Sequence, residues 1–154
     1  LFRSYPGMCL IEGTNLSEGR GTTKPFEWIG APWIDGCDLA KKLNQLALNG
    51  VLFRQIHFKP EFSKYAKEMC SGVQVHIIDR LTARPTEISL HLISTIMASY
   101  PDQFEFRSRF FNLLTGTDQI QEALLNSKSV TEISQSWQPK NTQFDKKRQA
   151  HFIY

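Results

Sequence analysis

The 154-residue chain is 41% hydrophobic and 21% charged, ordinary proportions for a globular protein and too apolar for a disordered one. Its formal net charge of +3 is accounted for between Trp137 and Tyr154, where Lys140, Lys146, Lys147 and Arg148 stand against Asp145. The rest is balanced, without the basic face of a nucleic-acid binder, and no apolar run approaches the ~20 residues that cross a bilayer.

The length fits a single domain spanning 1–154 with its own core. The opening Leu1-Phe2-Arg3 lacks a signal-peptide pattern and reads as the interior of a longer protein. Met8-Cys9-Leu10-Ile11-Glu12 is a short apolar run, predicted as a buried strand ending at Glu12. Residues 13–36 then mix glycine and proline with Phe26, Trp28 and Trp33, which predicts a long ordered loop rather than a simple connector. A helix is predicted from Asp35 to Leu48, with Leu39, Leu43 and Leu46 on one face and Asn49-Gly50 as its stop. Val51–Phe58 predicts a strand. A polar loop leads to a second strand, where Val73, Val75 and Ile77 alternate with Gln74 and His76 before Asp79-Arg80.

Thr86 is placed as the cap of a helix that runs to Ser99 and stops at Tyr100-Pro101. Phe104, Phe106, Phe110 and Phe111 mark an extended or irregular apolar stretch. Thr117 is placed as the cap of a helix to Asn126, and Ser129 with Glu132 forms a capping box for a helix to Trp137. Phe152-Ile153-Tyr154 is expected as a final apolar anchor. These elements have no regular βαβα beat, so the expected class is α+β: a small β-sheet flanked by several helices, with a long ordered Gly/Pro/aromatic-rich loop near the N-terminus.

Cys9, Cys37 and Cys70 are odd in number and lack Cys-x-x-Cys spacing, so they read as buried small hydrophobes, with one pairing open if the protein is exported. His57, His76, His91 and His151 have no helical metal-pair spacing, and no metal or other cofactor is expected. Chemistry concentrates between Glu12 and Trp33. Thr14, Asn15, Arg20 and Thr22 supply donors, and glycines at 13, 19 and 21 permit close backbone approach. Phe26, Trp28 and Trp33 supply flat apolar faces that serve either as core or as the platform under a sugar ring. Arg20 can clamp a carboxylate through two parallel bonds. Glu12 is the candidate catalytic carboxylate, with simple pairing to Arg20 or to backbone amides as the other reading. Gly19-Arg20-Gly21 lacks the Walker lysine pattern and is not a phosphate loop. Asp79-Arg80 forms a second polar cluster, either a rim ion pair or a capping group.

The run E-G-T-N-x-S-x-G-R-G-T-x-x-P-F-E-x-x-G-A-P-W, from Glu12 to Trp33, resembles the signature of the bacterial NamZ-like exo-β-N-acetylmuramidase family, formerly a domain of unknown function. Further matches include Phe58-x-Pro60, Tyr65, Cys70-x-Gly72-Val73, Ile78-Asp79-Arg80, Tyr100-Pro101, Leu114-x-Gly116-Thr117 and Trp137. The resemblance implies a C-terminal domain of a two-domain protein, its Rossmann-like N-terminal domain lying outside this chain. It implies a parent glycoside hydrolase that removes N-acetylmuramic acid from non-reducing ends of peptidoglycan fragments, exported to the periplasm or cell surface. The 12–33 segment would complete the substrate cleft. Glu12 would be its catalytic candidate, and Asn15, Arg20, Gly21, Thr22, Phe26, Trp33, Asp79 and Arg80 would bind the muropeptide. The isolated chain would be inactive. The alternatives are a non-catalytic carbohydrate-binding module and a structural companion domain.

Overall fold

A computed structural model describes residues 4–152. They form an α+β domain in which six helices surround a three-stranded antiparallel sheet of order β1-β3-β2. The strands are β1 (Trp28–Ala31), β2 (Val51–Phe58) and β3 (Cys70–Ile77), paired Ile29 with Val73 and Phe53 with Val75. β2 matches its predicted bounds, while β3 begins earlier than the Val73 start expected, as its Cys70 end pairs with Phe58. Helix α2 (Gly36–Gln45) and helix α3 (Pro85–Ser99) carry Leu39, Leu43, Leu92, Ile93 and Ile96 into the core they share with Ile29, Val73 and Val75.

The start of the chain departs from expectation. The predicted strand at 8–12 is instead helix α1 (Tyr5–Met8) followed by a 3-10 helix, Cys9–Gly13. Pro6 at the head of α1 carries a φ already set for a helix, and Met8, Leu10 and Ile11 are all buried. A short apolar run buried on every side looks the same as strand or helix. Gly7 allows α1 to press on α3: a Cβ there would meet the Pro85 carbonyl oxygen at 1.9 Å.

The predicted 13–36 loop contains β1, and Ser17 pairs with Gly30 along its outer edge through N–H···O bonds of 2.8 and 3.1 Å. Asp35 caps α2 by accepting from the amides of Cys37 and Asp38. That helix ends at Gln45, before Asn49-Gly50, because Ala47 turns to φ +50°. On the other edge of the sheet, the Asn44 side chain donates to Phe53 O (2.7 Å) and accepts from Phe53 N (3.0 Å).

In α3, Pro85 takes the first turn, so Thr86 is not its cap. The phenylalanine stretch holds a missed helix, α4 (Ser108–Thr115), closed by Gly116 at φ +71°. Phe111 is its buried anchor, ringed by Phe106 and by Gly13 of the 3-10 helix. Helix α5 (Gln119–Leu125) has no side-chain cap at Asp118, although Thr117 Oγ1 accepts from Gln119 N at 3.3 Å. Helix α6 (Val130–Gln149) has the predicted Ser129–Glu132 capping box but runs well past Trp137. Pro139 does not stop it, and Lys140 to Gln149 lie exposed on every side. Phe152 is no apolar anchor: it is 59% exposed beneath the Arg148 guanidinium, and Ile153 and Tyr154 fall outside the described residues.

All three cysteines are free thiols: Cys70 is buried, Cys9 is half-buried, and Cys37 is exposed at the head of α2, contrary to the expectation of burial. Burial drives the Cys70 thiol up to about 11, with the Glu68 charge adding to the shift.

Candidate functional site

The 12–33 segment wraps the end of the sheet where β2 passes into β3, held there largely by its own polar groups. Asn15 is spent on this: its amide donates to Gln103 O (2.7 Å) and accepts from Glu105 N (3.1 Å). Thr22 is likewise internal, donating to Gly19 O (2.6 Å) and accepting from Lys24 N (3.1 Å). Gly21 sits at φ +81°, and a Cβ there would meet the Phe62 backbone at 2.5 Å, so the turn presses directly on the connection between β2 and β3.

Charge gathers beneath this turn. Arg20 donates twice to Glu12 Oε1, from Nε at 2.7 Å and from Nη2. Its guanidinium lies over the Phe26 ring, 4.9 Å from the centroid, a favourable arrangement for a cation. Glu12 in turn raises the Arg20 pKa. Both bonds fall on Oε1, which leaves Glu12 Oε2 to accept from elsewhere. Glu18 is 2% exposed and pairs with Lys64 Nζ at 3.0 Å, with Arg20 Nε 3.5 Å from its other oxygen. Lys64 also donates to the carbonyls of Ile11 (3.2 Å), Glu12 (3.2 Å) and Leu16 (2.8 Å). Burial lowers its pKa despite the neighbouring Glu18 carboxylate.

The aromatic residues proposed as platforms face inward. Phe26 is buried at φ +62°, its amide donates to Glu18 O (2.6 Å), and its ring meets Tyr5 edge-on. Trp33 packs against Tyr100 and donates from Nε1 to Tyr65 Oη at 3.3 Å. Trp28 lies against Phe58. Asp79 and Arg80 are not brought to this cluster. They follow the opposite end of β3, where Asp79 accepts from Leu81 N (2.9 Å) and Thr82 Oγ1 (2.8 Å). Those two bonds hold its carboxyl below the ordinary range, and its role is that of a turn cap. Among the described residues no three His, Cys, Asp or Glu side chains come together to hold a metal ion. A separate cleft of about 720 Å³ opens between the head of α3 and α6, lined by Cys9, Arg84, Glu87, Trp137 and Asn141.

Three residues of this site are invisible in the sequence pattern. Lys64, Glu61 and Phe62 belong to the β2–β3 connection, where no periodicity distinguishes a lysine that turns inward from one in solvent. The motif spacing of Glu12 and Arg20 is informative by contrast, since the glycine-containing segment 13–19 returns one to the other.

Residues 3–154 match the family model of the C-terminal domain of the exo-β-N-acetylmuramidase NamZ, and the chain belongs to that family. It is 46% identical over 151 residues to the peptidoglycan β-N-acetylmuramidase NamZ of Bacillus subtilis strain 168, covering 97% of this chain and 36% of that protein. Two crystal structures of DUF1343 family proteins from Bacteroides fragilis NCTC 9343 share the fold. One has a TM-score of 0.90 at 31% identity, the other 0.64 at 26%. Each alignment takes in 99% of this chain and only 41% or 40% of the solved one. The chain thus spans well under half the length of these relatives, and among the described residues no helix is long and apolar enough to cross a membrane.

Proposed function

We propose that this domain forms one wall of the cleft in which a longer glycoside hydrolase removes N-acetylmuramic acid from the non-reducing end of peptidoglycan fragments, and that Arg20 reads the sugar's lactyl carboxylate. The observation that carries this reading is the setting of Arg20. Its guanidinium is fixed on one edge by Glu12 and on one face by Phe26, yet the side chain stays 46% exposed. A guanidinium held in place loses little freedom on meeting a carboxylate and matches it with a planar fork. The lactyl group is what separates muramic acid from glucosamine, so an arginine here selects between them. The B. subtilis relative, a peptidoglycan β-N-acetylmuramidase, supports the same substrate class.

Glycoside hydrolysis draws on two carboxyl groups across the scissile bond. Glu18 is sealed beneath Arg20 and Lys64, and Glu61 is paired with Lys67 on the β2–β3 connection, so Glu12, 16% exposed beside Arg20, is the carboxylate we assign to this wall. The second comes from the remainder of the longer polypeptide, which makes the isolated domain inactive. Work on the cell wall places the enzyme outside the cytoplasm, in the periplasm or at the cell surface, which fractionation checks. The test of the reading is Arg20→Ala in the full-length protein. A charge-assisted bond contributes about 1.5–3 kcal/mol, so kcat/KM for a chromogenic muramoyl glycoside falls roughly 10- to 150-fold further than for its glucosaminyl analogue. Equal losses on the two substrates defeat the assignment.

A second reading, a companion domain whose 12–33 segment only packs on its neighbour, is favoured by Asn15 and Thr22, whose side chains are consumed internally. It predicts that Arg20→Ala exposes the segment to proteolysis without altering substrate preference.

A further inference from the structure

We infer that Phe62 is the aromatic platform of this site, lying against the apolar face of the pyranose ring whose carboxylate Arg20 holds; the inference rests on the reading of Arg20 given above. Phe62 is placed for it by backbone contact with the turn that carries Arg20. Glu61 N donates to Gly21 O at 2.9 Å, and Gly21 lies so close that a Cβ would meet Phe62 O at 2.5 Å and Phe62 N at 2.7 Å. Phe62 is also open to a ligand, at 65% exposure, whereas Phe26 is 5% exposed and Trp33 is engaged by Tyr100 and Tyr65.

The loop around it is held in a shape the chain does not favour. Ser63, Tyr65 and Lys67 take φ of 76°, 55° and 65°, the left-handed region that residues with a side chain rarely enter. Such a run persists only where the surroundings over-determine it, and it concentrates at ligand sites. Here the anchors are explicit. Lys64 reaches inward to three carbonyls and Glu18, Tyr65 accepts from Trp33, Lys67 N donates to Pro60 O at 2.7 Å, and the Lys67 ammonium pairs with Glu61. The result is a rigid rim that holds one large apolar ring in water.

The surroundings of that ring select its occupant. The Glu61–Lys67 ion pair borders Phe62 along the chain, and Arg20 adjoins Gly21, whose carbonyl accepts from Glu61 N, so the ring has charged neighbours rather than the apolar centre of a protein interface. A sugar needs an aromatic surface under its C–H face and hydrogen-bonding groups around its edge. Arg20 and the free oxygen of Glu12 supply that edge.

The test uses the full-length polypeptide that carries this domain and four variants: Phe62→Ala, Phe62→Trp, Phe62→Leu and Arg20→Ala. With a muramoyl glycoside, Phe62→Ala raises KM about tenfold and leaves kcat within about twofold, since a stacking face binds ground and transition states alike. Phe62→Trp restores the wild-type KM and Phe62→Leu does not, while the thermal midpoint stays unchanged in all three. An unchanged KM in Phe62→Ala overturns the platform, and so does a Leu variant as good as Trp. A lowered midpoint in Phe62→Ala, with protease cleavage between the halves of the polypeptide, also overturns it, because Phe62 then packs on protein. Arg20→Ala separates the two readings. Lost substrate preference there, beside a silent Phe62→Ala, removes the platform alone; no effect from either removes the site and the platform with it.

Discussion

Replacing Lys64 with Met strands the Glu18 carboxylate. Glu18 is 2% exposed and Lys64 10% exposed, so water cannot take over the lost ammonium. Removing one partner of a buried ion pair costs about 3–5 kcal/mol, because the remaining charge stays desolvated. Three carbonyls, of Ile11, Glu12 and Leu16, lose a donor at the same time, while Arg20 at 3.5 Å from Glu18 softens the loss. For a chain of this length 1 kcal/mol moves the thermal midpoint by about 2–4 °C, so Lys64→Met lowers it by roughly 6–20 °C. The assay is urea denaturation of the 154-residue chain, run for Lys64→Met, Glu18→Gln and the double variant. The double variant is less destabilised than the sum of the two singles by about 2 kcal/mol or more, since neutralising Glu18 removes the stranded charge. Additive losses, or a Lys64→Met cost below about 1 kcal/mol, refute the account of a buried pair.

Gly21→Ala forces a side chain into φ +81° and against the Phe62 backbone at 2.5 Å. It costs about 1–3 kcal/mol in denaturant titration, and in the full-length protein it raises KM by displacing the β2–β3 connection. Cys70 gives a pH dependence. Its folded pKa of about 11 lies above the ordinary value of 9.0, so its contribution is complete below pH 9 and is lost between about pH 9 and 11. Roughly 2–3 kcal/mol disappears across that window, and Cys70→Ala flattens the alkaline limb of the stability profile. Thiol titration of the native chain at pH 8 labels Cys37 first, whereas Cys70 reacts on unfolding.

Most of what was legible in the sequence depends on a local pattern, although Thr86 and Thr117 are not the caps of their helices. The Val-, Phe- and Ile-rich run of β2, the alternation in β3, the Asp35 start of α2 and the Ser129–Glu132 box are properties of a few neighbouring residues, and each element is present in the structure. Where the outcome depends on long-range packing, the pattern misled. The apolar run at 8–12 is buried as helix because Gly7 lets α1 meet α3. The phenylalanine stretch becomes α4 because Phe111 has a pocket against Gly13. At the site, the motif drew Glu12 and Arg20 together correctly, since a tight turn returns one to the other. Which aromatics face outward was not legible, because Phe26 and Phe62 differ in tertiary surroundings rather than in sequence pattern. Asp79-Arg80 resembled a polar site and proved to be a turn at the other end of β3.

A three-stranded sheet ordinarily offers two edges on which another chain can polymerise. In this domain each is blocked at one point along the backbone. Ser17 occupies the outer edge of β1 through its bonds with Gly30. On β2 the Asn44 amide imitates a neighbouring peptide group, donating to and accepting from Phe53 where an incoming strand would begin. One side chain from α2 therefore obstructs edge-to-edge association at Phe53, a hazard set by concentration rather than by folding energy. Asn44 is thereby tied to solubility: its loss is felt less in the melting of a dilute sample than in how long a concentrated one stays clear.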